Sequence, residues 1–317
     1  MKNTNALTEG AVLAAIYVLL LVISTFVPIA GAVVSFLLPL PFFLFASRHG
    51  GKSSILFFTA ALLVSLMFVQ LFSIPFTLLA GLGGIALGVG VYHKRTAYET
   101  WAQGSVGFLI GTLLFYLSAQ LLFDINFMEE FQASVDQSID QAESMVSTMN
   151  STISEEQKEL ARELVTQTVD LIPSIMAIIS VFGAFIMLWL GYKLHNRIFQ
   201  TNYSFPPFRK LAFPTALLWY YFIAVVFSLF LNPEGDGLFY LAVQNAYIFT
   251  GLLAVLQGFS LLFEWSYQKG KSKALPITVV VVTLFFFYIL LNPIRILGII
   301  DIGFNLRKRI ANSSNKQ

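Results

Sequence analysis

The chain has 317 residues, of which 57% are hydrophobic and only 11% are charged, and its formal net charge is +2. The polar residues are too few to cover the surface of a water-soluble globule. The composition therefore excludes a soluble catalytic domain and makes a lipid bilayer the expected solvent. The sequence contains no cysteine, which excludes disulfides, thiolate chemistry and cysteine metal sites.

The apolar residues form long continuous runs. Backbone groups in hydrocarbon must bond internally, and continuous rather than alternating runs predict helices and not a barrel. A spanning helix takes about 20 apolar residues. Candidate runs lie at 8–28, 32–47, 53–72, 75–92, 104–123, 173–194, 212–231, 241–263 and 276–291. We therefore predict an all-α fold, a polytopic transmembrane bundle of about eight to nine segments.

Basic residues cluster between alternate runs and predict the orientation. If every run spans, the clusters share the side of Lys2, which the positive-inside rule makes the cytoplasm. These clusters contain Arg48 and Lys52, Lys94 and Arg95, Lys193 to Lys210, and Lys269 to Lys273. We predict a multi-pass protein of the bacterial plasma membrane with a cytoplasmic N-terminus.

Two segments are expected to be irregular. Pro39 and Pro41 predict a kink or split in the second run. Nine full spans would place the basic residues at 307–309 outside, against the same rule. Since Asn292-Pro293 interrupts the last run, we predict that 276–304 either enters the membrane and returns as a broken hairpin or lies at the interface.

Residues 124–172 differ from the rest of the chain, because they hold eleven of its 17 acidic residues. Apolar side chains there step by four and three, as in a coiled-coil seam. They are Val135, Ile139, Ala142, Val146, Met149 and Ile153. Ser154 followed by Gln157 has the form of a capping box and predicts the start of a second helix. We predict an extracytoplasmic helical hairpin, either a partner-docking element or a solvated loop that folds on itself.

These patterns predict the domain organisation. It consists of an N-terminal transmembrane bundle at 1–123, the acidic hairpin at 124–172, a C-terminal transmembrane bundle at 173–306 and a basic polar tail at 307–317.

Catalytic machinery is not visible in the sequence. No metalloprotease, nucleophile-elbow or phosphate-loop motif occurs. His49, His93 and His195 each lie beside basic residues at helix ends, and we expect them to face headgroups and not to bind ligands. We expect no enzyme activity, no catalytic residue, no cofactor, no metal and no nucleic-acid partner.

Amide side chains near the outer ends of the runs are the candidate solute pocket. Polar groups in spans usually face a bundle or a cavity. The candidates are Gln70, Gln120, Gln244 and Asn245. Hydrogen bonds that hold helices together are an equally good interpretation of each one.

The segment Leu7 to Tyr17, with Ala11 and Ala15 four residues apart, resembles the opening of substrate-capture subunits of energy-coupling-factor vitamin transporters. That resemblance implies that the two alanines meet a transmembrane coupling subunit and that the bundle has about six spans. The whole chain is similar to the YybS-type predicted membrane proteins. Three stretches carry this second resemblance, namely 38–41 (LPLP), 47–50 (SRHG) and 298–309 (GIIDIGFNLRKR).

Two functional hypotheses follow. The first is a capture-like membrane subunit that binds a small solute and docks through Ala11 and Ala15 onto a coupling partner with an ATPase module. The alternative is a non-transporting scaffold or regulator that uses 124–172 to hold another envelope protein. The lipid bilayer is a partner in both.

Overall fold

The computed structural model describes residues 2–148, 154–231, 237–307 and 310, and within them the chain forms helices and no strand. In chain order the helices are α1 (Lys2–Phe26), α2 (Pro28–Ser35), α3 (Pro39–Val69), α4 (Ser73–Tyr92), α5 (Ala97–Phe123), α6 (Phe127–Thr148), α7 (Glu155–Asp170), α8 (Ile172–Phe199), α9 (Ala216–Ser228), α10 (Gly237–Gln268), α11 (Ala274–Phe285) and α12 (Phe287–Phe304). Short 3-10 turns lie at Gln70–Phe72 and Phe208–Lys210. The all-α prediction is confirmed.

Several of these helices are long and apolar enough to cross a membrane. Within the described residues there are five such stretches, at Ala6–Phe26, Pro28–Tyr92, Ala97–Phe123, Ile172–Phe199 and Gly237–Gln268. The second stretch has 65 residues, whereas about 20 are enough to cross a bilayer. It must therefore cross more than once, which agrees with a polytopic bundle.

Gly50 divides α3 into two antiparallel pieces. Its φ of 73° and ψ of 179° interrupt the helix. Contacts with α4 show the reversal. Gly84 contacts Pro39 and Gly88 contacts Phe43, so the first piece of α3 runs parallel to α4. Thr77 contacts Ser65 and Val89 contacts Gly51, so the second piece runs antiparallel to α4. Residues 39–49 and 51–69 therefore flank α4 as separate segments.

The predicted split at the prolines is also present. Helix α2 ends at Ser35 and α3 begins at Pro39, with that proline at its first position. Proline is tolerated there because the first amides of a helix have no partner within it.

Contacts divide the chain into two compact units, Met1–Phe205 and Pro206–Gln317. The predicted division at 172/173 differs from this boundary, because α8 packs within the first unit. The Trp101 indole on α5 donates to the Val181 carbonyl on α8 at 2.8 Å. The ring of Phe43 on α3 lies against Gly191 of the same helix. Of the predicted tail at 307–317, only residues 307 and 310 are described.

Charge is sorted between the ends of the first unit. Gly50 lies against Tyr92, and Arg48 lies over the Phe199 ring at 4.7 Å, so the basic turns meet at one end. At the opposite end the rings of Phe72 and Phe123 stack at 4.3 Å. The acidic segment follows Phe123 and therefore leaves from the end opposite the basic turns.

The acidic segment folds into the predicted hairpin of α6 and α7. Lys158 forms an ion pair with Glu143 at 2.8 Å and Arg162 one with Asp136 at 3.6 Å, which fixes an antiparallel register. The Ser154 hydroxyl accepts from the Gln157 amide, and the Gln157 side chain accepts from the Ser154 amide. The predicted capping box is confirmed.

The predicted seam along this hairpin is described only in part. Val135 and Ile139 are half-buried, whereas Ala142 is exposed. Met149 and Ile153 lie outside the described residues.

In the second unit, α11 and α12 form a hairpin whose two ends lie beside the same part of α10. Ser266 on α10 donates to the Ser272 carbonyl just before α11, and Arg307, just after α12, donates to Ser260 on the same helix. Positions 260 and 266 are about 9 Å apart along a helix, whereas an unbroken helix over 274–304 would be about 45 Å long. The predicted return is present. The predicted break at Asn292-Pro293 is wrong, since α12 continues through Pro293 and the chain turns at Phe286.

Candidate functional site

The small-residue pair on α1 lies on the side of the helix that faces away from the first unit. Leu13 and Tyr17 are buried, and the Tyr17 hydroxyl lies 2.7 Å from Thr77 Oγ1 on α4. Ala11 and Ala15 are exposed, together with large apolar neighbours such as Ile16. In a bilayer this face meets lipid or another protein.

A charged cluster holds α1 to the turn at Gly50. Arg48 Nη1 donates to Glu9 Oε2 at 2.8 Å, and His49 Nε2 lies 3.0 Å from the same oxygen. The guanidinium of Arg48 also covers the ring of Phe199 at the end of α8. The sequence 47–50 thus combines a chain reversal with an electrostatic contact between three helices.

The histidines are not all surface groups. His195 is buried, with Nδ1 2.8 Å from Thr201 Oγ1, and His49 meets Glu9 as described. The expectation that all three face headgroups is wrong for His195, because residues 200–205 fold back over the end of α8 and cover it. Asn196 fixes that fold by bonding to both the amide and the carbonyl of Tyr203.

The four amides of the predicted solute pocket fall into both units. Gln70 and Gln120 are exposed near the end of the first unit where the rings of Phe72 and Phe123 stack. In the second unit Gln244 is half-buried, and Asn245 is buried and donates to the Leu241 carbonyl. Among the described residues the groove between α9 and α10, about 590 Å³ in volume, is lined by Tyr220, Thr250 and apolar residues and by none of the four amides.

Arg295 is a cation within the apolar helix α12 that sequence reasoning missed. It is the ninth of the 18 residues of α12, between Ile294 and Ile296. Its Nη1 donates to the Tyr247 hydroxyl on α10 at 2.8 Å. The ring of Tyr221 on α9 stacks on Tyr247 at 5.6 Å. A charged residue inside an apolar run was the available signal, since such residues commonly mark functional sites in membrane helices.

A second buried network anchors the end of α12. Asp301 Oδ2 accepts from Gln257 at 2.5 Å and from Arg307 Nε at 2.8 Å. Arg307 also donates to Ser260 Oγ and to the Arg209 carbonyl. The Asp301 side chain is 1% exposed. Removing one partner of a buried ion pair such as Asp301 and Arg307 strongly destabilises the folded protein. This network ties the end of α12 to α10 and to the turn at 208–210.

No group of three or more histidine, aspartate or glutamate side chains is placed to hold a metal ion in the described parts of the chain. The notable polar sites are therefore the Glu9 cluster in the first unit and the Arg295 and Asp301 sites in the second.

Comparisons with known proteins agree with this architecture. Residues 15–302 match the family model described as "Predicted membrane protein (DUF2232)". The chain is also 27% identical over 311 residues to a Bacillus subtilis (strain 168) protein called "Uncharacterized protein YybS", and this similarity covers 98% of the chain and 100% of the relative. No solved structure matches the chain. The family match covers far more than half of the sequence and the helices are long and apolar, so the protein is a multi-pass membrane protein that belongs to the DUF2232 family.

Proposed function

We propose that the protein is a substrate-capture-like subunit of the bacterial plasma membrane. In this proposal it binds a small solute from outside, performs no catalysis itself and docks through α1 onto a coupling partner with an ATPase module. The first unit supports the proposal because it packs six apolar helical segments: α1, residues 28–49, residues 51–69, α4, α5 and α8. The resemblance to capture subunits implies about six.

The observation that carries the proposal is the exposed pair Ala11 and Ala15. Small residues four apart let another helix approach the backbone closely, which is a main source of helix association in membranes. An exposed stripe of this kind next to the buried Leu13 and Tyr17 gives α1 one face for its own unit and one for a partner.

Gln70 and Gln120 are the best placed of the proposed solute contacts. Both lie near the end of the first unit from which the acidic hairpin leaves, which is the outer end under the proposed orientation. Their exposed amides can donate to and accept from a polar solute. Gln244 and Asn245 are candidate contacts in the second unit.

Bulky substitutions on α1 test the docking step. Ala11→Trp with Ala15→Trp should prevent recovery of the ATPase-bearing module and abolish solute uptake, because the wider side chains block close helix approach. The matched control is Ala102→Trp, at an exposed alanine near the same end of α5, which should leave both readouts unchanged. Unchanged recovery of the module with the double variant would refute the proposal.

The alternative function is a scaffold that holds another envelope protein. The hairpin favours it, because α6 and α7 are joined by their own ion pairs and present exposed apolar side chains such as Phe131 and Leu160. Removal of the hairpin distinguishes the two functions, because only the scaffold function requires it.

A further inference from the structure

Among the residues that the structure describes, the surroundings of Arg295 provide a hydrogen bond but no opposite charge. Its guanidinium carbon lies 5.3 Å from the centre of the Tyr247 ring. The Tyr221 ring lies beside the same group, because a Cβ at Gly251 would be 3.2 Å from Arg295 Cζ and 3.4 Å from the Tyr221 ring. Gly251 on α10 therefore makes room for the group. The site is therefore built by three helices, α9, α10 and α12.

No described carboxylate pairs with this arginine. The described ion pairs of the second unit join Arg209 to Glu264 and Arg307 to Asp301. Asp301 follows Arg295 by six residues, about 9 Å along a helix. The buried Nε of Arg295 has no hydrogen-bond partner among the described residues.

An unpaired cation in this position is costly. A charged side chain among the apolar residues of a membrane protein is costly unless it is paired. Tyrosine hydroxyls satisfy hydrogen-bond donors but do not neutralise charge. A bound anion would supply the missing charge and accept the remaining N–H groups, since the guanidinium fork fits carboxylate and phosphate oxygens.

We propose that Arg295, Tyr221 and Tyr247 form a binding site for an oxyanion, the carboxylate or phosphate group of a ligand that reaches the second unit. The phenol hydroxyls can accept from the arginine and donate to the anion. The anion belongs either to a lipid headgroup or to a dissolved solute. This inference uses the second unit alone and does not depend on the proposed docking through α1.

The test uses the full chain in nanodiscs and two probes. Inorganic phosphate is titrated by calorimetry into protein in phosphatidylcholine discs. Retained phosphatidylglycerol is counted by native mass spectrometry from mixed discs of phosphatidylcholine and phosphatidylglycerol. Binding of phosphate identifies a dissolved anion as the source, and selective retention of phosphatidylglycerol identifies a lipid.

Arg295→Gln should weaken whichever binding occurs by about tenfold or more, the effect of losing roughly one charge-assisted hydrogen bond. Lys269→Gln changes the net charge equally at an exposed site of the same unit and should have no effect. If Arg295→Gln does not fold, Tyr247→Phe decides, because it keeps the charge and removes one hydroxyl, and it should also weaken binding. Absence of binding in both arms, or equal binding by wild type and the site variants, overturns the inference.

Discussion

At the scale of single residues, Gly50 decides the course of the chain at the end of the first unit. Its φ of 73° with ψ of 179° belongs to a region that is open essentially to glycine. The Tyr92 ring would lie 2.9 Å from a Cβ at this position. The residue therefore permits both the reversal inside α3 and the close contact with the end of α4.

The substitution Gly50→Ala should lower the thermal unfolding midpoint in detergent. Backbone strain of this kind costs about 1–3 kcal/mol, and the Tyr92 ring must also move. Gly51→Ala is the matched control, because its Cβ would meet Val89 at an ordinary 3.5 Å and alanine is favoured over glycine within a helix. Equal changes in both variants would show that the conformation of Gly50 is not the reason for its glycine.

Arg295 and Arg307 show how differently two arginines of one unit can be placed. Arg307 has a carboxylate, a hydroxyl and a carbonyl as acceptors. Arg295 has the Tyr247 hydroxyl as an acceptor and no described anion. The protein itself supplies the acceptors and the opposite charge of Arg307. An external anion would supply the opposite charge that Arg295 lacks among the described residues.

At the scale of secondary-structure elements, the α6–α7 hairpin is the most independent part of the first unit. Its helices are joined by the pairs Lys158 with Glu143 and Arg162 with Asp136. The buried core of the unit is instead formed by residues of the apolar helices, such as Phe42 and Leu188. Folding of the bundle therefore should not require the hairpin.

Replacement of residues 127–170 by a short glycine-serine linker should leave the thermal midpoint and elution volume of the protein nearly unchanged. The antiparallel register brings the two ends of the hairpin together, so a short linker can join them. A scaffold function predicts that this variant loses its envelope partner, whereas a capture function predicts that the ATPase module is still recovered. Loss of the folded protein would contradict the independence of the hairpin.

At the scale of the whole molecule, the sorted charges predict the orientation in the membrane. The basic turns of the first unit meet at one end, and the acidic hairpin leaves from the other. From the positive-inside rule we expect the basic end to be cytoplasmic. The natural absence of cysteine makes this orientation directly measurable by labelling.

Two single-cysteine variants test the orientation. An impermeant maleimide should label Ser138→Cys in intact cells, because that exposed position lies on α6. Lys52→Cys, exposed near the Gly50 turn, should be labelled only after the cells are permeabilised. The unmodified chain is the blank, and the reverse pattern would contradict a cytoplasmic N-terminus.

Local sequence patterns were sufficient to predict several helix boundaries. Proline at position 39 stopped one helix and opened another, and the pair Ser154 and Gln157 marked a helix start, because each acts on its own neighbourhood. The turn between α11 and α12 was not predicted, because no local sequence pattern marks it. Proline 293 is tolerated within α12, and the reversal occurs at Phe286, a residue with no turn preference of its own.

The sequence alone determined that this protein is a helical membrane protein with an acidic hairpin between apolar helices, because composition and hydrophobic length act through the solvent and need no partner residues. Only the tertiary structure decided that α8 belongs to the first unit, that Glu9 meets Arg48 and His49, and that Arg295 lies beside Tyr247. The contacts of Glu9 and Arg295 join residues that are 39 to 48 positions apart in the sequence. Hydrophobic pattern does not encode which helices become neighbours, since lipid tails and apolar side chains are almost equally good surroundings and packing makes the choice.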